Sequence, residues 1–432
     1  MGLNTFFKQF FQSSQFEYLK NIFTLASGSA FSQLILIVLT PVLSRLFSPD
    51  DFGLYALFLL IISILGVLAT GRYEVAILLP RKEKDAQSLF QLSTSLGLFF
   101  SILTALVLYL CWPLLVTYFD SSYQWIYYWI PIGLALQVLL QTATLYANRK
   151  KEYQNLAMSR VAGSSATSVG SIGFGIFKLQ KLGLIYGKLI GLLLEVVYLY
   201  TKIWKRIQWN PSSWRAVAKK YRNFPKYSTF EALLNMGHKQ LPILVLTSFF
   251  SLGAAGLYAL ANTLLTKPLG TIATSFAQVF YQKTAEEEHL EGDELRLFFL
   301  KNLRVLFLLA IFPSLLVLFF GPFLFAFFLG EEWYEAGVYA SWLIPFLFFN
   351  FLKTAFSSLV DTKNKIRENA LWEFVFLGTG ILAFYFAWRV EDALLGIKLY
   401  SMLGMLLAVG QLYWYYQLTK SNKQWDIQRK DI

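Results

Sequence analysis

The chain has 432 residues, of which 56% are hydrophobic, 18% aromatic and 15% charged, with a formal net charge of +12. Soluble domains carry about 25% charged residues, so this composition excludes an ordinary soluble globular protein. A basic excess in so apolar a chain marks loops on the inner face of a membrane, and no nucleic-acid partner is expected.

A bilayer core of roughly 30 Å needs about 20 apolar residues per helical span. In chain order, the sequence predicts twelve spans: 22–44, 52–79, 89–115, 124–147, 156–177, 182–203, 228–250, 253–280, 297–320, 336–360, 368–388 and 392–418. The first 20 residues carry Lys8, Glu17 and Lys20 and show no small-residue cleavage site after a short apolar run, so the first span is expected to direct insertion itself. The lone Cys111 excludes an intrachain disulfide and a thiolate metal cluster, and it reads as an inert packing residue.

Placing the N-terminus in the cytoplasm puts the basic loops on one side. Arg81, Lys82 and Lys84 fall there, as do Arg149, Lys150 and Lys151, then Lys205, Arg206, Arg215, Lys219, Lys220, Arg222 and Lys226. Lys283, Arg296, Lys363, Lys365, Arg367, Lys420, Lys423, Arg429 and Lys430 complete the series. The opposite side receives little basic charge beyond Arg45, Lys178, Lys181 and Arg389, and its remaining loops are neutral or acidic, with Asp120, Glu331, Glu332 and Glu335. This alternation predicts both termini in the cytoplasm.

The segment 204–227 is basic and amphipathic, with Trp204, Trp209 and Trp214 among its charges, and is expected to lie along the inner leaflet. It divides the chain into an N-terminal six-helix lobe, 1–203, and a C-terminal six-helix lobe, 228–432. A repeat supports the division. QLILIVLT at 33–40 shares its first two and last three residues with QLPILVLT at 240–247, and GLYAL recurs at 53–57 and 256–260. The spacing differs by four residues, which predicts a longer loop between the first two spans of the first lobe. With six helices per lobe, both halves enter the membrane in the same orientation, which implies a pseudo-twofold axis along the membrane normal.

No nucleophile elbow, phosphate loop or metal-ligand spacing is visible, so the chain does not read as an enzyme and needs no metal. The informative residues are charges inside predicted spans: Arg72 and Glu74 in the second, Lys188 and Glu195 in the sixth, Glu231, His238 and Lys239 in the seventh, Lys267 in the eighth, Glu373 in the eleventh and Lys398 in the twelfth. A charge at the centre of a span costs on the order of 2.5–3.5 kcal/mol, so it faces protein or a hydrated cavity. Interhelical ion pairing is one reading of this set. A mildly cationic interior suited to an anionic head group is the other. Arg72, which offers paired donors, is the first candidate for phosphate, with Lys188, Lys239 and Lys267 behind it. Arg72 and Glu74, two apart on a helix, are expected to point in different directions and not to pair. Lys188 and Glu195, seven apart, share a helix face. Glu74, Glu195, Glu231, His238 and Glu373 are candidates for balancing charge or carrying a coupling ion. His289, in the acidic run Glu286–Glu288, reads as part of a solvated loop.

The fifth span carries Ser159, Gly163, Ser164, Ser165, Thr167, Ser168, Gly170, Ser171, Gly173 and Gly175. Small residues let helices approach closely, and hydroxyls can also line a polar cavity. Both readings stay open. Pro41, Pro131, Pro242, Pro268, Pro313 and Pro345 fall inside spans, as in transporter helices that hinge.

Residues 23–80 carry two further patterns. The first, P-x-L-x-R-L-x-S-P-x-D-F-G-x-Y, runs from Pro41 to Tyr55. The second, G-R-Y-E-x-A-I-L-L, runs from Gly71 to Leu79. Together they resemble the start of Wzx-type polysaccharide flippases, relatives of the MATE exporters and of MurJ in the MOP superfamily. The stretch Thr266–Tyr281 is similar to that family's eighth helix.

The resemblance implies a bilobed bundle in the bacterial cytoplasmic membrane. Its central cavity opens alternately to each side and moves an undecaprenyl-pyrophosphate-linked oligosaccharide from inner to outer leaflet for O-antigen, capsule or exopolysaccharide assembly. It further implies basic cavity residues for the pyrophosphate, a sodium or proton gradient as drive, contact with membrane lipids, and association with other polysaccharide-assembly proteins. Three alternatives stand beside it: a MATE-like exporter of small organic ions, a membrane-embedded saccharide polymerase or transferase, and MurJ itself, which has fourteen spans. The first span lacks the acids expected of a cation exporter, and no loop is large enough for a polymerase.

Overall fold

The structure, a computed structural model, describes residues 14–113, 126–203, 207, 209–286, 293–363 and 365–420. Asp120, Lys205, Arg206, Glu287, Glu288, His289, Lys423, Arg429 and Lys430 lie outside the described residues, as do both chain ends. Every regular element among the described residues is helical.

Among the described residues, twelve long helices are distributed over two compact units, residues 1–236 and 237–432. The first unit contains α1 (Ser14–Leu46), α2 (Pro49–Thr70), a single turn α3 (Tyr73–Ala76), α4 (Glu83–Leu110), α5 (Ile126–Arg149), α6 (Tyr153–Ile176), α7 (Gln180–Ile203) and the short α8 (Trp214–Lys220). The division falls within α9 (Thr229–Phe249). The second unit continues with α10 (Leu252–Glu286), α11 (Asp293–Leu329), α12 (Tyr334–Ala355), the short α13 (Ser358–Thr362), α14 (Ile366–Val390) and α15 (Ala393–Leu418). Eight of the long helices are long and apolar enough by themselves to cross a bilayer. Prolines 41, 131, 242, 268, 313 and 345 all sit inside continuous helices.

The internal repeat has a physical basis in helix starts. Ser48 caps α2: its hydroxyl accepts from the Asp51 N–H at 3.4 Å, and the Asp51 carboxylate accepts from the Ser48 N–H at 2.9 Å. Pro49 at the first helical position completes the cap, so half of the Pro41–Tyr55 pattern is a helix-start signal. In the second unit Ser251 stands where Ser48 does, accepting from the Ala254 N–H at 3.0 Å. Gly53 and Gly256 are then each the fifth residue of their helix. The four-residue difference does not lengthen a loop. Two residues separate the first two helices in each unit, and the extra four extend α1 beyond Thr40.

The second span is shorter than 52–79. Helix α2 stops at Thr70 because Gly71 and Arg72 both adopt left-handed backbone, with φ of 54° and 60°. Gly71 is the ordinary residue for that conformation; Arg72 adopts it at a steric cost. At 22 residues, α2 is about 33 Å long, a full span, so Arg72 and Glu74 lie beyond its end.

The chain then turns through α3 into α4 at the end of the unit where the basic loops gather. Arg149 holds this turn. Its guanidinium donates to the carbonyls of Ile77 at 3.2 Å, Leu78 at 3.3 Å and Pro80 at 2.7 Å, and reaches Glu83 at 3.4 Å. Glu83 also accepts from Tyr146 at 2.8 Å and pairs with Lys150 at 2.7 Å.

The basic segment after α7 packs on the same end. Val217 is buried, and the Gln91 side-chain oxygen accepts from the Asn210 N–H at 2.9 Å and the Trp214 indole at 3.1 Å. Lys220 reaches Asp85 at 3.2 Å, and the bond to that carboxylate raises its pKa.

Small residues of α6 serve helix packing. A Cβ at Gly187 or Gly191 would collide with Ser171 or Thr167 of α6, and a Cβ at Gly170 would lie 3.3 Å from the Gly187 Cα. Ser159, Ser164, Ser168 and Ser171 are buried, so this face of α6 is a close-packing face.

Candidate functional site

The charges singled out in the sequence form three groups. The first lies at the basic end of the first unit. Arg72 Nη1 is 3.6 Å from Glu74 Oε1, so the two residues pair. The expectation that they point apart assumed a helix running through both, and the left-handed step at Gly71–Arg72 removes that geometry. Glu74 is fully buried, and burial pushes its carboxyl pKa up, with the Arg72 charge opposing the shift only in part. Arg72 also lines a cavity of about 290 Å³ with Ser228, Glu231 and Asn235, so two candidates far apart in sequence meet there.

The second group is mid-span in the first unit. Glu195 on α7 is within electrostatic reach of Lys188, one face of the same helix, and of Arg160 on α6. Arg160 did not enter the sequence reading, although it lies within the predicted fifth span. Gly163 makes room for this group: a Cβ there would fall on Glu195 Cγ and Oε1.

The third group lines a cavity of about 460 Å³ inside the second unit, within the size range of small-ligand sites. His238 and Lys239 come from α9, Asn262 and Thr266 from α10, Asn350 and Lys353 from α12, Asn369 and Glu373 from α14, and Tyr400 from α15. Five helices therefore contribute amides, hydroxyls and charges to one space among membrane-spanning segments. Lys353 is the residue missed in the sequence, though it too lies in a predicted span. It is 9% exposed, and its ammonium is 4.0 Å from Glu373 Oε1 and 4.5 Å from the Phe376 ring centroid. The His238 ring lies 5.2 Å from the same phenyl ring, and its Nδ1 is buried without a hydrogen-bond partner. On the cavity wall, Asn369 Oδ1 accepts from Gln411 at 2.9 Å and from Tyr415 at 3.3 Å, which fixes the Asn369 side chain.

Two of the sequence candidates fall outside these groups. Lys267 is exposed on α10 and is not part of the cavity wall, and Lys398 lies over the Trp342 ring at 5.0 Å. No cluster of three metal-ligating side chains occurs among the described residues.

Solved structures share the fold. The lipid II flippase MurJ, in an inward closed conformation, aligns with a TM-score of 0.69 at 12% identity, covering 91% of this chain and 89% of that one. An inward-facing multidrug-resistance MATE transporter of the MOP superfamily aligns at 0.64 and 12% identity, covering 91% and 94%. A MOP superfamily transporter from Pyrococcus furiosus, described as having a binding pocket of reverse polarity, aligns at 0.61 and 13% identity, covering 93% and 97%. No curated protein is significantly similar in sequence. The family described as "Polysaccharide biosynthesis protein" matches residues 42–338, more than half of the chain. With its twelve long helices and the fold of MurJ and the MATE transporters, this multi-pass membrane chain belongs to the polysaccharide biosynthesis protein family.

Proposed function

We propose that the chain is a flippase, which carries an undecaprenyl-pyrophosphate-linked oligosaccharide from the inner to the outer leaflet of a bacterial cytoplasmic membrane. The observation that carries this reading is the cavity of the second unit. Amide, hydroxyl, aromatic and ammonium groups from five helices face one space in a membrane-spanning bundle. Asn and Thr side chains supply the donors and acceptors that sugar hydroxyls require, and Tyr and Phe rings supply apolar faces for pyranose rings. A family named for polysaccharide biosynthesis and a fold shared with a lipid II flippase support the same reading.

The mechanism follows from these parts. The saccharide enters from the cytoplasmic side while its polyprenyl tail remains in lipid. Arg72, at the basic end of the first unit, meets the phosphates there, with Lys188 deeper along α7. The bundle then changes access and releases the cargo outward. A sodium or proton gradient sets direction, with Glu74, Glu195, Glu231, His238 and Glu373 as the titratable or cation-binding groups. Both termini face the cytoplasm, and polysaccharide-assembly proteins receive the product.

Reconstitution into liposomes with a fluorescent undecaprenyl-pyrophosphate oligosaccharide, with and without sodium and proton gradients, tests this. Gradient-dependent loss of inner-leaflet signal supports the flippase. Efflux of an organic cation without lipid translocation would replace it by an exporter.

A further inference from the structure

The basic segment between α7 and α9 has two faces of different character. Trp214, Val217, Ala218 and Tyr221 follow helical spacing, and all four pack into the hydrophobic cluster around Leu89 and Phe90 of α4. The apolar stripe of α8 is therefore spent on the protein. Polar contacts hold it there: the Ser88 and Ser213 hydroxyls meet at 2.6 Å, and the Tyr73 hydroxyl donates to the Ala218 carbonyl at 3.2 Å. Arg215, Lys219 and Arg222 take the other stripe, at the same spacing and into the following turn, and they and Lys226 are exposed. Residues 209–228 include these four cations and Lys220, and no Asp or Glu. Lys220 meets the Asp85 carboxylate at 3.2 Å. The other four form no ion pair among the described residues.

The segment is also tied to the depth of the membrane surface, because it leaves one long helix at Ile203 and enters the next at Thr229. Beside its cations it presents Trp209, Tyr227 and Phe230, which are 48%, 70% and 60% exposed. Aromatic rings among Lys and Arg at this depth match lipid head groups, where amphipathic rings settle and cations meet phosphates. A soluble acidic partner would match the charges and leave the three rings uncovered. We propose that the exposed face of this segment is a docking surface for anionic phospholipid of the inner leaflet, held by Arg215, Lys219, Arg222 and Lys226. Charge, rather than an inserted apolar stripe, makes the attachment, because Trp214, Val217 and Tyr221 already face α4. Anionic head groups on this face steady the segment that leads directly into α9. The partner is the bilayer and not the cargo, so the flippase reading can fail while this surface remains.

The test is amide hydrogen exchange on the purified full-length protein in nanodiscs of phosphatidylcholine alone and of phosphatidylcholine mixed with phosphatidylglycerol. A Lys or Arg near an anionic surface strengthens association about fivefold, and salt screens the effect. At low salt, exchange over residues 209–227 is expected to be about fivefold slower or more with phosphatidylglycerol present. Molar salt should remove the difference. Replacing all four cations, as Arg215→Gln, Lys219→Gln, Arg222→Gln and Lys226→Gln together, should make the two lipids equivalent, while Arg215→Lys with Arg222→Lys keeps the difference. Equal exchange of the wild type in the two lipids at low salt overturns the proposal, as does a phosphatidylglycerol effect that survives molar salt or the four glutamines. Soluble polyglutamate giving the same protection in phosphatidylcholine discs would assign the surface to an acidic protein and overturn the lipid. The salt comparison uses the wild type, so it decides the matter should the glutamine variant fail to fold.

Discussion

Arg72 Nη1 lies 3.6 Å from Glu74 Oε1, two residues along a chain whose backbone is left-handed at Arg72, φ 60°. The helix break makes this pair possible, and the pair gives the buried Glu74 carboxylate its counter-charge.

Arg72→Ala is therefore expected to destabilise the protein by about 2 kcal/mol at neutral pH, the cost of a buried polar group left without its partner. The sign with pH follows from the upward shift of Glu74. A carboxyl whose folded-state pKa is raised favours the folded state below the unfolded value, and that contribution is lost as pH rises through the folded value. Thermal melts of Arg72→Ala should therefore recover on acidification, and Arg72→Ala/Glu74→Gln should show no such recovery. If Arg72→Ala melts like wild type at every pH, the pair has no structural role.

Gly163 and Gly173 lie on the same helix and predict opposite outcomes. A Cβ at Gly163 falls on the Glu195 side chain, whereas a Cβ at Gly173 meets nothing within 4 Å. Gly163→Ala should lower stability by about 1–3 kcal/mol through overpacking. Gly173→Ala should be neutral or slightly stabilising, because alanine is the better helix former. Melting temperatures of the two variants decide it, and equal shifts would contradict the packing described for α6.

Arg149 should control the turn between α2 and α4. Losing three carbonyl acceptors and the Glu83 contact, Arg149→Ala is expected to speed amide exchange over residues 77–83 by about tenfold or more. Arg149→Lys should not restore protection, because one ammonium cannot reproduce a planar guanidinium spread over several acceptors. Restoration by lysine would show that charge alone suffices.

Gln91 anchors the segment that precedes α9. Gln91→Leu keeps the side-chain bulk but removes the acceptor for both the Asn210 N–H and the Trp214 indole. Limited proteolysis within residues 209–220 should accelerate, with the helical core of the first unit unaffected. Unchanged cleavage would mean that Val217 burial alone docks the segment.

Much of the fold could be read from the sequence because its signals are local. Apolar stretches of spanning length mark twelve helices, and the Ser-Pro-x-Asp pattern at Ser48–Asp51 marks a helix start through hydrogen bonds spanning only four residues. The repeat of QL…VLT and GLYAL could be read for the same reason: it records two helices with equivalent caps. The break at Gly71–Arg72 was legible only in part, since glycine there permits a left-handed turn without requiring one.

The sites could not be read in the same way. A charge in a predicted span says that a partner or water must exist, and hydropathy carries no information about which. Glu195 has charged neighbours at positions 160 and 188, on two different helices, and Glu373 has Lys353 from α12. Lys267, as conspicuous in sequence as Lys239, is outside the cavity wall that Lys239 joins. The sequence by itself determined the membrane class, the helices and their duplication, because a low-dielectric solvent demands satisfied backbones and long apolar runs. The tertiary structure alone decided which buried charges meet, because pairing depends on helix packing between residues distant in the chain.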